Sequence, residues 1–361
     1  MEKKDKKTIL ILTGNFGKGH ISAACAVKEE LEEIYEDADI VIFDLFDYIF
    51  PVTGKIVHRA FESLAGNHHR LYNVFNKQAN MTSVPMHRLF VMKFKKLCMK
   101  YEPDLFVSTW PIGAKYIGAY KKDTGCETRY ITCITDITSS GGWLSDTTDA
   151  YIVGDEITRN HMVSKGISSE KIFVGGIPVR REFKKGCRKP EKPQKEILMM
   201  GGGLGIIPRV KDMLGYLSTF DDVHTTVITG KNKQLYEELH GLYRNTEVKG
   251  YTDDLSRLMN SADLIITKAG GVTLFEAIYT ETPLLVIDPF LDHERINAAY
   301  IENKQIGKVM RFRNDSWKKC IDDALQDDGY NEMMKSNMRR IKAGLEGHGL
   351  IEAIDEIRRD A

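Results

Sequence analysis

The sequence has no excess of charge of either sign and no long apolar run. Its 361 residues contain 51 lysines and arginines and 51 aspartates and glutamates. This balance gives no reason to expect nucleic acid as a partner, so a charged partner would have to be recognised by a local cluster. No apolar stretch reaches the length of a membrane-spanning helix. The run at residues 8–13 is too short for a signal-peptide core, and we expect a cytoplasmic protein.

The sequence also lacks the spacings that hold metal ions or pair cysteines. The six cysteines form no C-x-x-C pair, and we expect reduced thiols. The ten histidines show no H-E-x-x-H cluster. The one D-x-D, at residues 37–39, precedes a predicted strand, where a structural role is expected. We therefore expect no metal and no other cofactor.

Strand-like and helix-like segments alternate along the chain, which is typical of βαβ units around a parallel sheet. Residues 178–194 are rich in Lys, Arg and Pro, have no apolar periodicity, and indicate a domain boundary. The sequence thus predicts an α/β protein with two doubly wound domains that face each other across a cleft. These are an N-terminal domain (1–178), a linker (179–194), a C-terminal domain (195–345) and a terminal helix (346–361) that packs back toward the first domain. Predicted strands cover residues 8–12, 40–44, 105–108, 129–134, 150–153, 172–174, 196–199, 225–228, 246–248, 264–266 and 284–287.

The stretch 267–297 concentrates polar groups after two predicted strands. Gly270 and Gly271 follow the strand 264–266 and precede a predicted helix at 272–279. Such a turn leaves backbone N–H groups at the positive end of a helix dipole, where a diphosphate can bind. Glu276 lies one turn further along, suited to sugar hydroxyls. After the strand 284–287 we expect a turn that carries Asp292, His293, Glu294 and Asn297. One such turn is common in α/β proteins, but the two together favour a functional site.

Each predicted domain begins with a strand and a glycine loop. In the second domain, the amides of Gly202 and Gly203 could stabilise a departing diphosphate in place of a metal ion. In the first domain, His20 follows the loop T-G-N-F-G-K-G and precedes a predicted helix at 21–31. A helix N-terminus disfavours the imidazolium form, so His20 could act as a general base, or it could merely cap the turn.

Two further residues follow strands of the first domain. Asp136 is either a second catalytic group or a turn aspartate. Trp110 would either stack on a ligand ring or fill a corner of the fold. The first glycine loop contains no Walker A motif, which argues against nucleotide hydrolysis.

Residues 48–101 contain no clear strand, and basic and aromatic residues alternate there. This composition suits an element at the surface of an anionic membrane, although a helical excursion with solvated lysines would have the same composition. The basic residues are Lys55, Arg59, Arg70, Lys77, Arg88, Lys93, Lys95, Lys96 and Lys100.

The motifs in this order resemble the family of processive diacylglycerol glycosyltransferases and monogalactosyldiacylglycerol synthases, which have the GT-B fold and are related to glycosyltransferase family 28. The resemblance covers nearly the whole chain. It is carried by the loop at residues 15–20, Thr135-Asp136 with Trp143, Gly250-Tyr251, residues 267–277, and Glu294 with Asn297-Ala298.

The resemblance implies an inverting, metal-independent enzyme that moves a hexose from a UDP-sugar to a lipid hydroxyl, with diacylglycerol as the expected acceptor. It implies a peripheral protein on the inner face of the cell membrane, with an anionic membrane surface as partner. By the resemblance, the uracil lies by Gly250 and Tyr251, the ribose by Glu276, the diphosphate by Gly270, Gly271 and Thr273, and the sugar by Asp292, His293, Glu294 and Asn297. His20, with Asp136, would act in catalysis, and the acceptor side would comprise Asn15, Gly19, Trp110, Ser140 and Trp143.

The sequence departs from the family pattern at three places. Ser140 stands where relatives have histidine, and Ala269 replaces proline in K-P-G-G. Leu291-Asp292-His293-Glu294 replaces P-G-Q-E. These changes leave the identity of the sugar and the acceptor contacts open. A GT-B UDP-sugar epimerase and a non-catalytic UDP-sugar-binding protein remain alternatives.

Overall fold

A computed structural model describes residues 6–15, 18–51, 87–138, 142–186 and 193–359. The chain divides into two compact units. The first comprises Met1–Arg180 and Leu345–Ala361, and the second comprises Arg181–Gly344. Each contains one six-stranded parallel sheet.

The sheet of the first unit has the strand order β2-β1-β3-β4-β5-β6. All six residues of the first strand are buried, because in a parallel sheet both faces are covered. Alternate side chains therefore enter opposite cores: Ile9 and Ile11 pack on one face, and Leu10 and Leu12 on the other. The strands are β1 (Thr8–Thr13), β2 (Asp39–Asp44), β3 (Leu105–Ser108), β4 (Arg129–Cys133), β5 (Ala150–Val153) and β6 (Ile172–Val174). The helices are α1 (Lys18–Ile34), α2 (Leu45–Ile49), α3 (His87–Tyr101), α4 (Pro111–Thr124) and α5 (Glu156–Ser164).

The sheet of the second unit has its first strand in the interior, in the order β12-β11-β10-β7-β8-β9. Its strands are β7 (Lys195–Met200), β8 (Val223–Ile228), β9 (Thr246–Lys249), β10 (Leu264–Thr267), β11 (Leu284–Ile287) and β12 (Gly307–Met310). Its helices are α6 (Arg181–Lys184), α7 (Val210–Leu217), α8 (Lys233–Leu239), α9 (Leu255–Ser261), α10 (Gly271–Thr280), α11 (Asp292–Asn303), α12 (Ser316–Gln326) and α13 (Asp328–Ala343).

Both sheets have a topological switch point, where the chain turns from one side of the sheet to the other. In the first unit it lies between β1 and β3, and in the second it lies between β7 and β10. Ligands of doubly wound sheets bind at the carboxyl ends of the strands that flank this point. The loops after these four strands are therefore the first places to look for a site.

The last helix, α14 (Leu350–Arg359), belongs to the first unit. Leu350 and Ile354 are buried in the core that covers one face of β1. Just before this helix, Gly349 has a φ of +87°, and a Cβ atom on Gly175 would lie 2.3 Å from its Cα. Only glycines permit this approach, which fixes the start of α14 against the segment after β6.

All eleven predicted strands are present; four have the predicted bounds, and the ends of the others differ by at most two residues. The prediction missed β12, because G-K-V-M contains only two consecutive apolar residues. It was also wrong at residues 292–297, which form the first turns of α11 instead of a turn. The helix α1 begins at Lys18, three residues before its predicted start.

Among the helices of the described residues, none is long and apolar enough to cross a membrane.

Candidate functional site

The second unit has two glycine-rich loops that pack on each other at the ends of β7 and β8. Gly202 and Gly205 have φ angles of +69° and +63°, which glycine adopts without strain. The amide of Lys231 donates to the carbonyl of Gly203 at 3.1 Å. A Cβ atom on Gly230 would lie 2.6 Å from that same carbonyl oxygen. Glycine is therefore required at position 230, and this contact fixes the loop that carries Gly202 and Gly203.

The strand β10, on the other side of the switch point, leads into the helix α10 through Gly270. Within the described part of the chain, no side chain caps the N-terminus of this helix. The first-turn amides, at Gly271 and Thr273, therefore remain available to an anion at the positive end of the helix dipole. Glu276 is buried further along the same helix. This arrangement suits a ligand that offers a phosphate group to the amides and hydroxyl groups to the carboxylate.

The helix α11 holds the loop between β10 and α10 in place. Asn297 is completely buried, and its side-chain amide donates to the carbonyl of Ala269 at 2.9 Å. One turn earlier, a carboxylate oxygen of Glu294 lies 3.1 Å from the ammonium of Lys268. The side chain of Glu294 is 5% exposed and that of Lys268 is 21% exposed. Two residues that were predicted to contact the sugar thus also position the loop at the predicted diphosphate site.

The remaining predicted donor residues are more exposed. Tyr251 follows Gly250 after β9 and is 56% exposed, so that its ring is accessible to a planar ligand. Asp292 pairs with Arg295 on the surface of α11 at 3.5 Å. His293 is half-buried beside it. The loops after β7, β9, β10 and β11 lie at one edge of the sheet, since all these strands are parallel.

In the first unit, His20 lies in the first turn of α1 and is held from two neighbouring strands. Its backbone carbonyl accepts a hydrogen bond from the hydroxyl of Thr109, after β3, at 2.9 Å. Its ring nitrogen Nδ1 lies 3.0 Å from the hydroxyl oxygen of Thr135, after β4. The ring of Trp143 meets the imidazole edge to face, with centroids 6.2 Å apart. His20 therefore occupies the switch point of this sheet in a fixed orientation.

The other residues predicted at the acceptor side have different surroundings. Trp110 is buried and fills a corner: a Cβ atom on Gly14 would lie 2.7 Å from its indole ring. The backbone amide of Asn15 donates to the carboxylate of Asp44 at 3.0 Å. Gly19 lies within α1, and Asp136 is half-buried next to Thr135. Ser140 lies outside the described residues.

The sequence motifs contain Lys268 and Thr135 but do not indicate a site role for either residue. Both residues sit at strand ends, which was the available signal. Their partners are 26 and 115 positions away, and spacing alone cannot show such contacts. Cys133, at the end of β4, is fully buried, and burial raises the pKa of its thiol. It therefore remains protonated and is not a nucleophile.

Among the described residues, no group of three or more His, Cys, Asp or Glu side chains could hold a metal ion.

Two family models match adjoining parts of the chain. The model for monogalactosyldiacylglycerol (MGDG) synthase matches residues 20–179. The model for the glycosyltransferase family 28 C-terminal domain matches residues 197–353. Together they leave out only residues 1–19, 180–196 and 354–361.

Similar curated proteins include two that are named processive diacylglycerol beta-glucosyltransferase. The one from Bacillus licheniformis is 26% identical over 362 residues, covering 93% of this chain and 91% of its own. The one from Bacillus cereus strain AH187 is 28% identical over 353 residues, covering 92% of this chain and 89% of its own.

Solved structures with the same fold include transferases and epimerases. Acinetobacter baumannii MurG matches with a TM-score of 0.64 at 13% identity, over 98% of this chain and 99% of its own. UDP-GlcNAc 2-epimerase from Neisseria meningitidis matches with a TM-score of 0.58 at 12% identity, over 94% of this chain and 99% of its own. The fold defines the class of GT-B proteins, and by itself it does not separate transfer from epimerisation. Within that class, residues 20–179 belong to the monogalactosyldiacylglycerol synthase family and residues 197–353 are a C-terminal domain of glycosyltransferase family 28.

Proposed function

We propose that this protein is an inverting glycosyltransferase that moves a hexose from a UDP-sugar to the hydroxyl of diacylglycerol, giving a glycosyldiacylglycerol. The observation that carries the proposal is the set of groups at the switch point of the second unit, in a chain of this family. These groups are two glycine loops, an uncapped helix N-terminus and the buried carboxylates of Glu276 and Glu294. Such a set offers N–H donors to a diphosphate and acceptors to sugar and ribose hydroxyls.

In the proposed donor site, Tyr251 stacks on the uracil beside Gly250 and Glu276 accepts hydrogen bonds from the ribose. The amides of Gly271 and its neighbours bind the diphosphate. Glu294, with Asn297, Asp292 and His293 nearby, faces the sugar. The exposure of Tyr251 and the burial of the two carboxylates support this division. We expect no metal and no other cofactor, because helix and loop amides supply the positive field for the leaving diphosphate.

In the proposed reaction, the ring of His20 takes the proton of the acceptor hydroxyl through Nε2. The acceptor oxygen bonds to the anomeric carbon on the face opposite the diphosphate, and UDP leaves with the electrons of the broken C–O bond. One displacement inverts the anomeric configuration. The contact between Nδ1 and the hydroxyl of Thr135 supports this role, since it fixes the orientation of the imidazole ring. Asp136 is the second candidate for proton transfer.

The test is a mass-spectrometric screen of products from UDP-glucose, UDP-galactose and UDP-N-acetylglucosamine with diacylglycerol vesicles. We expect glycosyldiacylglycerol from at least one donor, and absence of product from all three would refute the transferase function. The variant His20→Ala should lower turnover by about 10²- to 10⁴-fold with UDP affinity kept. His161→Ala, on the surface of α5, is the matched control and should leave turnover unchanged. Near-normal turnover of His20→Ala would contradict the role of His20 as the general base.

The role of Glu276 is tested by comparing UDP with 2′-deoxy-UDP in calorimetry. A hydrogen bond from a hydroxyl to a buried carboxylate should make UDP bind about tenfold or more tightly than the deoxy compound. Glu276→Gln keeps the size of the side chain and should largely remove this preference. An unchanged preference would mean that Glu276 does not contact the ribose.

An epimerase is the second candidate, since UDP-sugar epimerases share the fold at similar TM-scores. Such an enzyme would convert a UDP-sugar without lipid. Incubation with the UDP-sugar alone, followed by a search for the epimer, separates the two functions.

We further propose that α3 contributes to binding an anionic membrane surface at the inner face of the cell membrane. Met92 and Met99 on this helix are 53% and 71% exposed. They lie on one face with exposed basic residues, namely Arg88, Lys95, Lys96 and Lys100. Lys93 belongs to the same basic segment, but its ammonium donates to the carbonyl of Ile49 at 2.6 Å. Lys93 therefore stabilises the end of α2.

Neutralising Lys95, Lys96 and Lys100 to glutamine should reduce flotation with anionic vesicles. Lys93→Gln removes one charge from the same helix and serves as the control. It should lower the melting temperature without a comparable loss of flotation. Undiminished flotation of the triple variant would refute a role for this face.

A further inference from the structure

The two side chains of the ion pair between Lys268 and Glu294 differ in their exposure to solvent. The carboxylate is almost completely buried, whereas the ammonium is about one fifth exposed and also lies 5.6 Å from the ring of Phe290. The lysine can thus reach a ligand from solvent while the glutamate cannot leave its position. We call these two residues the exchange pair.

The charges around the exchange pair would change when a diphosphate binds. Lys268 lies three residues before Gly271, the first residue of the uncapped helix α10. Two buried carboxylates lie on the helices that follow β10 and β11, Glu276 on α10 and Glu294 on α11. A diphosphate added there would meet two carboxylates, and Lys268 is the cation already located at the end of β10. A lysine ammonium has three donors on a flexible stem, so it can move between acceptors within one site.

Glu294 needs new hydrogen-bond donors if Lys268 leaves it. A buried carboxylate that loses its cation is costly unless other donors replace it. The hydroxyls of a hexose are such donors, but a nucleoside diphosphate without the sugar has none at that end. Release of the lysine is therefore more favourable when diphosphate and sugar bind together than when UDP binds alone.

Resting on the donor site proposed above, we propose that Lys268 exchanges Glu294 for the donor diphosphate when the UDP-sugar binds, and that Glu294 then accepts hydrogen bonds from the sugar. After transfer the sugar has left, and Glu294 competes with UDP for the lysine. The exchange pair thus favours the complete donor over the product UDP and promotes release of UDP. No bond is formed or broken in this step; only the partners of one ammonium change.

The proposal makes a prediction with an unusual sign: removing the charge of Glu294 should tighten the binding of UDP. In calorimetry, Glu294→Gln should bind UDP roughly three- to tenfold more tightly than the natural protein, because Lys268 then has no competing carboxylate. Uridine, which has no phosphate, should bind both proteins equally. Lys268→Met should bind UDP about tenfold more weakly.

The double variant Lys268→Met with Glu294→Gln decides whether the gain passes through the lysine. In the Lys268→Met background, Glu294→Gln should give no gain in UDP affinity. The double variant also removes the uncompensated carboxylate that could unfold Lys268→Met alone, and melting temperatures of all variants are measured alongside. Unchanged or weaker UDP binding by Glu294→Gln, or a gain that persists without Lys268, would overturn the exchange.

A second ion pair of the same unit provides the matched control. Lys308 on β12 and Asp323 on α12 lie 3.0 Å apart, so Asp323→Asn makes the same change of charge at another place. It should leave UDP affinity unchanged, and a similar gain there would refute a specific exchange. If the natural protein binds neither UDP nor a UDP-sugar, the donor site itself fails, which differs from every outcome above.

Discussion

Two glycines of the loop after β7 allow a matched test of how the site is built. Gly202 and Gly205 both have positive φ angles, +69° and +63°. A Cβ atom on Gly202 would meet nothing within 4 Å, whereas one on Gly205 would lie 1.8 Å from the carbonyl oxygen of Thr229. Replacement by alanine thus imposes the same backbone strain at both positions and a clash at only one.

The strain of an alanine in the left-handed region is about 1–2 kcal/mol. At Gly205 the clash is with backbone, which cannot rotate away, and overpacking of this kind adds about 1–3 kcal/mol or more. One kcal/mol shifts the melting temperature by about 2–4 °C for a domain of this size. We therefore expect a decrease of a few degrees for Gly202→Ala and of about 10 °C for Gly205→Ala.

Scanning calorimetry of the full chain measures both shifts in melting temperature, and titration with UDP measures the affinity of the proposed donor site. Gly205→Ala should also weaken UDP binding, because the displaced loop carries the amides of Gly202 and Gly203. Equal melting temperatures for the two variants would refute the reasoning, since it assigns the difference entirely to the contact with Thr229.

Three further predictions concern single side chains. Thr135→Val should lower turnover and shift its pH profile because the ring of His20 loses its partner, whereas Thr135→Ser should restore both; equal rates for the two variants would contradict this role. Burial raises the pKa of the Cys98 thiol to about 11 from an ordinary 9.0. The rate of its alkylation by iodoacetamide should therefore rise with pH toward about 11, at higher pH than in the chain unfolded in urea. Coincident pH profiles for the folded and unfolded chains would contradict the raised pKa. Asn297→Asp replaces the donor to the carbonyl of Ala269 with an acceptor and should lower the free energy of unfolding by about 2–4 kcal/mol; a denaturant titration that matches the natural protein would show that this bond contributes little.

The sequence predicts most of the fold because the signals for it are local. Apolar runs such as that of β1 are flanked by glycines and helical patterns, and these patterns carry the alternation of strand and helix. The edge strand β12 has no such run, and its pairing with β11 supplies what its composition does not. The helix α11 was missed for a similar reason, since its first turn is polar.

The site is only partly predictable because its decisive contacts join distant positions. Strand ends and glycine turns identify His20 and Gly270 as candidates from the sequence alone. The partner of the His20 ring and the partner of Glu294 become known only when neighbouring strands are placed side by side. The role of Trp110 also depends on packing, because an indole after a strand could either stack on a ligand or fill a corner of the fold. Only the structure shows that it fills a corner, against Gly14.

The position of α14 has a consequence for synthesis of the chain on the ribosome. The second unit is one continuous segment, whereas the core of the first unit includes Leu350 and Ile354. Domains generally fold in the order in which they are made. Here the unit that begins first is completed last: the part of its sheet that α14 covers, at β5 and β6, stays exposed while all of Arg181–Gly344 is translated. The nascent first unit is therefore the part of this protein most dependent on chaperones, and premature termination before α14 harms it more than the second unit.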